Sequence, residues 1–172
     1  MTENDQILLA YDGSDGAKAA VEAAGRLFPG RGADVVSVWQ SVAAAAPVGN
    51  IAVPTEVIGT AYLELDREAE ARAERLAEEG AAAACDGGLR ASARAVHCHG
   101  NTWATLVRLA NGNRPAAIVL GSRGRSGIKS VLLGSVSTGV AHHSEVPVVV
   151  VPSPETTESQ GATDSGRLEA AL

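Results

Sequence analysis

The chain has 172 residues, 45% hydrophobic and 20% charged, with a formal net charge of −6. That length suits one domain with a full core, and so apolar a composition excludes a disordered chain. The negative balance argues against a nucleic-acid surface, so a phosphate ligand would be held by local geometry and not by a global positive field.

Aromatic residues are only 3% of the chain, so the core must be built from Ala, Val, Leu and Ile. Cys85 and Cys98 are the only cysteines, which fits a reducing cytoplasm better than a disulfide scaffold. The first ten residues carry Glu3 and Asp5 and no basic region, so no signal peptide is expected. The longest apolar runs are strand-sized and no membrane span is expected.

Ile7 to Tyr11 reads as a buried strand ending at the turn Asp12-Gly-Ser-Asp-Gly16. Ala17, Ala20, Val21, Ala24, Leu27 and Phe28 follow at helical spacing, capped by Ser14 or Asp15 and ended by Pro29-Gly30. Ala33 to Trp39 is a second strand. Residues 40 to 58 hold Pro47, Gly49 and Pro54 and are expected to form a long loop. Small and apolar residues at 61, 65, 69, 73 and 76 give a helix from Ala61 to Glu79, whose acidic residues read as a solvated face. Ala91 to His99 is a third strand, and Trp103 to Ala110 a helix closed near Gly112. A strand at 116 to 120, a glycine-rich loop, a helix from Ser135 and a strand from Val146 to Val151 complete the order.

Strands alternating with helices predict a five-stranded parallel sheet, doubly wound and Rossmann-like, with helices on both faces. With strand order 3-2-1-4-5, the order reverses between strands one and four, and ligands bind beyond the strand ends at such a point. Asp12 and Gly121 therefore meet at one crevice. After Pro152 the composition turns polar, which predicts a domain over residues 1–152 and a flexible tail over 153–172.

The loop carries the chemistry. Gly121 and Gly124 let the backbone turn and approach a ligand closely. Gly134-Ser135 puts amide N–H groups and a hydroxyl at a helix N-terminus, where the dipole favours negative charge. Together they read as a phosphate cradle. The stretch also grazes the P-loop pattern, but Ile128 interrupts the required Gly-Lys-Ser.

The spacing G-x2-G-x9-G-S, with Ile7-Leu-Leu-Ala-Tyr-Asp-Gly-Ser14 and Ser144-Glu-Val-Pro-Val-Val-Val-Val-Pro152, resembles the universal stress protein family from residue 6 to 152. The resemblance implies ATP, carried with Mg²⁺, bound as a sensing or regulatory ligand. It implies that Gly121 and Gly124 admit ribose and phosphates, and that Gly134, Ser135, Val136 and Ser137 donate to phosphate oxygens. Asp12, with Ala10 before it, matches the adenosine-side turn. Val38 matches a backbone contact to the adenine edge, Leu120 lies against base or sugar, and Arg123 and Arg125 are placed to screen phosphate charge. Two positions depart from the family pattern: Ala116 stands where an acidic residue commonly begins the fourth strand, and Asn101-Thr102 where a proline is usual. Neither touches the phosphate loop.

His97-Cys98-His99 supplies two imidazoles, too few for a closed zinc site, and no metal site is expected. His142-His143 near a helix end complements the dipole. No nucleophile–base pair is visible, so at most slow ATP hydrolysis is expected. Two rivals differ in class. An adenylylating enzyme of the related α-hydrolase-like group would need a Ser-Gly-Gly-x-Asp-Ser-like turn, which Asp12-Gly-Ser-Asp-Gly16 only faintly resembles; the other is a nucleotide-free interaction module. The apolar strand 146–151 would lie at a sheet edge, which predicts a homodimer by antiparallel pairing, as the resemblance also implies. No nucleic-acid or membrane partner is expected.

Overall fold

The computed structural model describes residues 5–41, 55–98, 100–124 and 133–153, and for 55–60 the backbone alone. Its strands are β1 (Gln6–Ala10), β2 (Gly32–Trp39), β3 (Arg90–His97), β4 (Ala117–Gly121) and β5 (Val148–Val151). Its helices are α1 (Asp15–Leu27), α2 (Thr55–Asp86), α3 (Thr102–Asn113) and α4 (Ser135–His143). The strands form one parallel sheet in the order β3-β2-β1-β4-β5.

Alternation along the strands sorts the core into two layers. Ile7, Leu9, Val35 and Val119 point to one face with α1 and α2. Leu8, Val36, Ile118 and Leu120 point to the other with α3 and α4. Tyr11 is the one aromatic residue in the buried core, as the composition requires. Small residues bring the helices close: a Cβ at Gly25 of α1 would lie 2.5 Å from the carbonyl oxygen of Gly87, just past α2.

The first helix start follows ordinary capping chemistry. The Ser14 hydroxyl accepts from Ala17 N at 3.2 Å and caps α1. After that helix the chain turns at Gly30, with φ +72°, a conformation that favours glycine.

Three boundaries differ from expectation. Helix α2 starts at Thr55, inside the expected loop 40–58, and runs 32 residues to Asp86. Its buried face is Ala73, Ala77, Gly80, Ala81 and Ala84, whereas Ala61 and Leu65 are exposed. Within this helix a Cβ at Gly80 would lie 2.7 Å from the Tyr11 ring, so the glycine is a packing device. Strand β3 ends at His97, whose ring packs against Trp39 with centroids 4.4 Å apart; His99 lies outside the described residues. Strand β5 starts at Val148, because Val146 is held in a turn in which its N–H donates to the Ser144 hydroxyl at 3.1 Å. The expected tail lies outside the described residues from 154 onward. Among the described residues, no helix is long and apolar enough to cross a membrane.

Candidate functional site

Strand order reverses between β1 and β4, and a cavity of about 340 Å³ opens there, beyond the C-terminal ends of the strands. Eleven of the twelve residues singled out from the sequence line it: Ala10 and Asp12 at and after the end of β1, Val38 on β2, Leu120, Gly121, Arg123 and Gly124 around the end of β4, and Gly134, Ser135, Val136 and Ser137 at the start of α4. Arg125 falls outside the described residues.

Backbone contacts set the shape of the loop after β4. Ser122 N donates to Val151 O at 2.7 Å, and Gly134 N donates to Ser122 O at 2.7 Å. The two ends of the loop are thereby clamped together. The Ser137 hydroxyl is buried and lies 2.9 Å from Ser122 O and 3.0 Å from Gly134 O. Its single proton is committed to this clamp, so the expectation that it donates to a phosphate is corrected: Ser137 offers its N–H, not its hydroxyl.

Helix α4 begins with Gly134 as N-cap and has no side-chain cap. Its first internal backbone bond runs from Thr138 N to Gly134 O at 3.0 Å. The amides of Ser135, Val136 and Ser137 therefore have no partner within the helix. They sit on the cavity wall, at the positive end of the helix dipole.

The glycines have different causes. Neither Gly121 nor Gly124 adopts positive φ, so close approach is what demands them. A Cβ at Gly121 would lie 2.5 Å from the carbonyl carbon of Gly16, and one at Gly16 would lie 2.5 Å from Arg123 O. Gly121 is thus required by the docking of α1 against β4, in addition to its place on the cavity wall. Gly124 instead faces the Asp12 carboxylate across the cavity.

Asp12 Oδ1 accepts from Ser14 N at 3.0 Å, which holds the turn after β1. Arg123 is the cation on the described wall, and its buried Nε has no hydrogen-bond partner. Burial, the Glu79 hydrogen bond and the nearby Glu79 and Asp12 charges all push the Tyr11 phenol above its ordinary range, so it stays neutral and donates. Its partner is Glu79 Oε1 at 2.7 Å. The acidic face of α2 is therefore not merely solvated: Glu79 holds Tyr11, and Asp66 accepts from the Ser41 hydroxyl at 2.6 Å.

Sequence reasoning missed Tyr11, Ser14, Val36, Thr102, Leu106 and Ser122 as wall residues. Tyr11 was the accessible signal, as the one large polar side chain in an otherwise aliphatic strand end. Thr102 and Leu106 reach the cavity only because α3 packs over β1 and β4, which spacing does not reveal. His143 stacks on Trp103 with centroids 4.5 Å apart, and Gly139 leaves room for that indole against α4.

A family model described as the universal stress protein family matches residues 3–152. The universal stress protein YxiE of Bacillus subtilis is 30% identical over 155 residues, covering 86% of this chain and 98% of that protein. Among solved structures, the hypothetical protein MJ0577 superposes with a TM-score of 0.72 at 21% identity, covering 90% of this chain and 100% of its own. A universal stress protein in complex with cAMP superposes with a TM-score of 0.58 at 22% identity, covering 89% of this chain and 100% of its own.

Proposed function

The chain belongs to the universal stress protein family, and on that premise we propose that it binds an adenine nucleotide, ATP with Mg²⁺, as a regulatory ligand in the cavity between β1 and β4. The observation that carries this reading is the uncapped start of α4. Three amides there converge on the same cavity as the buried Arg123 Nε and the small face of Gly124. An anion satisfies such donors, and the dipole adds to the attraction. The residues therefore fit a phosphate group.

The nucleoside end goes to the opposite wall. Ala10, Val38 and Leu120 offer apolar surface for a base. Asp12, whose Oδ1 accepts from Ser14 N, is the acceptor on the nucleoside side. That a related protein of the same fold is seen with cAMP supports an adenine ligand over other phosphate compounds. The bound nucleotide acts as a signal, and turnover is at most slow.

The proposal extends to assembly, domain limits and setting. Among the described residues, strand β5 pairs with β4 on one side only, and its four valines are half-buried; we infer that its other edge joins a second copy in an antiparallel homodimer. Residues 1–152 form the nucleotide-binding domain, and 153–172 a tail that contributes little to it. The setting is cytoplasmic, in keeping with two free thiols, one exposed at Cys85 and one buried at Cys98.

Native mass spectrometry of the purified protein, followed by calorimetric titration with Mg-ATP, tests the proposal. A mass increment of an adenine nucleotide, or saturable binding by the emptied protein, is expected. A protein that carries no nucleotide and gives no binding heat overturns it and favours a nucleotide-free interaction module.

A further inference from the structure

A second cavity, of about 660 Å³, lies at the other end of the sheet, where Arg31 precedes β2, Pro115 precedes β4 and Pro147 precedes β5. It shares no residue with the nucleotide cavity. Three features of its wall define a ligand. Arg114 is exposed and makes no ion pair among the described residues, while Arg31 beside it is only partly engaged, 3.4 Å from Asp5. Asn111 presents a buried Oδ1 with no hydrogen-bond partner. Pro115 and Val146 supply an apolar surface between these polar groups.

The backbone at Arg114 is unusual. Arg114 closes α3 in the left-handed region at φ 44°, the one non-glycine residue with positive φ among the described residues. Glycine is the ordinary residue for such a helix end, so an arginine here adopts a backbone conformation that costs free energy.

We propose that this cavity binds the carboxylate end of an apolar N-acyl amino acid or peptide. The planar guanidinium fork of Arg114 matches a carboxylate in bidentate fashion. The amide N–H next to that carboxylate supplies the donor that Asn111 Oδ1 lacks. An aliphatic side chain fills the wall of Pro115 and Val146. Glu145 on the rim repels a doubly charged phosphate more than a singly charged carboxylate, which favours the carboxylate over a phosphate ligand.

Titration of the ¹⁵N-labelled protein with N-acetyl-leucine tests the site. Saturable shifts at the amides of Arg114, Ala116 and Val146 are expected at millimolar ligand, without shifts at Ser135 or Val136. N-acetyl-leucinamide, which lacks the carboxylate, is expected to leave them unmoved. Arg114→Gly removes the guanidinium while relieving the positive φ, so the melting temperature should not fall but affinity should drop at least tenfold. Asn111→Leu should abolish the preference for N-acetyl-leucine over 4-methylpentanoate, which has the same chain and carboxylate but no N–H. Undiminished binding by Arg114→Gly, absence of shifts at these amides, or equal binding of inorganic phosphate there overturns the proposal.

Discussion

A Cβ placed on Gly124 would lie 2.8 Å from Oδ2 of Asp12, so the two residues face one another with no room for a side chain between them. A branched residue at 124 must displace the carboxylate or occupy the space beside it, and either change alters the cavity. Gly124→Val is expected to abolish Mg-ATP binding while the fold survives. Asp12→Ala, which removes the acceptor and its turn bond to Ser14 N, is expected to weaken binding by about 1.5–3 kcal/mol, roughly tenfold or more. Calorimetric titration of the three proteins decides this; equal affinity in all of them puts the ligand elsewhere.

Gly121 behaves differently because its neighbour is backbone. Gly121→Ala places a methyl against the Gly16 peptide, and neither α1 nor β4 can yield without losing its own contacts. Overpacking of this kind costs about 1–3 kcal/mol, several degrees of melting temperature in a chain of this size. Gly16→Ala is expected to cost a similar amount, and the double variant less than the sum of the two. Thermal unfolding by circular dichroism reads all three.

The Tyr11–Glu79 pair predicts an alkaline limb. Burial, first, and then Glu79 and Asp12 raise the folded-state value above the ordinary 10.0. The native state therefore holds its phenolic proton where the unfolded chain has lost it, and stability is fully present below about pH 10 and falls as pH rises beyond it. Tyr11→Phe should flatten that limb and cost about 0.5–1.5 kcal/mol at neutral pH, since the exposed Glu79 is readily rehydrated. Denaturant unfolding of both proteins from pH 8 upward, as about a three-unit scan, checks the slope.

Homodimerisation through β5 predicts twice the chain mass by light scattering at micromolar concentration. Val150→Pro, which removes a backbone donor from the free edge and not from the β4–β5 ladder, should disfavour edge pairing. A concentration-independent monomer in the wild-type chain contradicts the dimer.

Removal of residues 154–172 should leave the melting temperature and nucleotide affinity nearly unchanged, because that segment offers almost nothing to a core. Ser153 is kept, since its N–H donates to the Ser122 hydroxyl at 3.2 Å. A clear loss of stability on truncation would show that the tail docks onto the domain.

The sheet order and the cavity wall were legible in the chain because their signals are local. Apolar runs such as Ile7-Leu-Leu9 and Ala117-Ile-Val-Leu120 stop at glycine-bearing turns, and each turn lies at the same end of a parallel sheet. What escaped was set by contacts between distant segments. Ser137 looks like a ligand donor until Ser122 O is found 2.9 Å away. Gly121 looks like a ligand glycine and nothing more until α1 arrives beside it. In each case the residue type was right for the chemistry inferred, and a neighbour far along the chain claimed it first.

The parallel pairing of β1 with β4, in which Ile7 meets Ala117, also governs when the site comes into being. Strands β2 and β3 can join β1 as the chain emerges from the ribosome, but the turn at Asp12 waits for the loop at Gly121 and the start of α4. The central pair closes across most of the folded chain, and long-range closure of this kind slows folding. A half-made sheet with β1 exposed along one edge is an aggregation hazard during that interval. On the proposed function, a ligand that grips both walls of the cavity would favour the completed sheet by mass action, so nucleotide supply would raise the yield of refolded protein through a single strand pair.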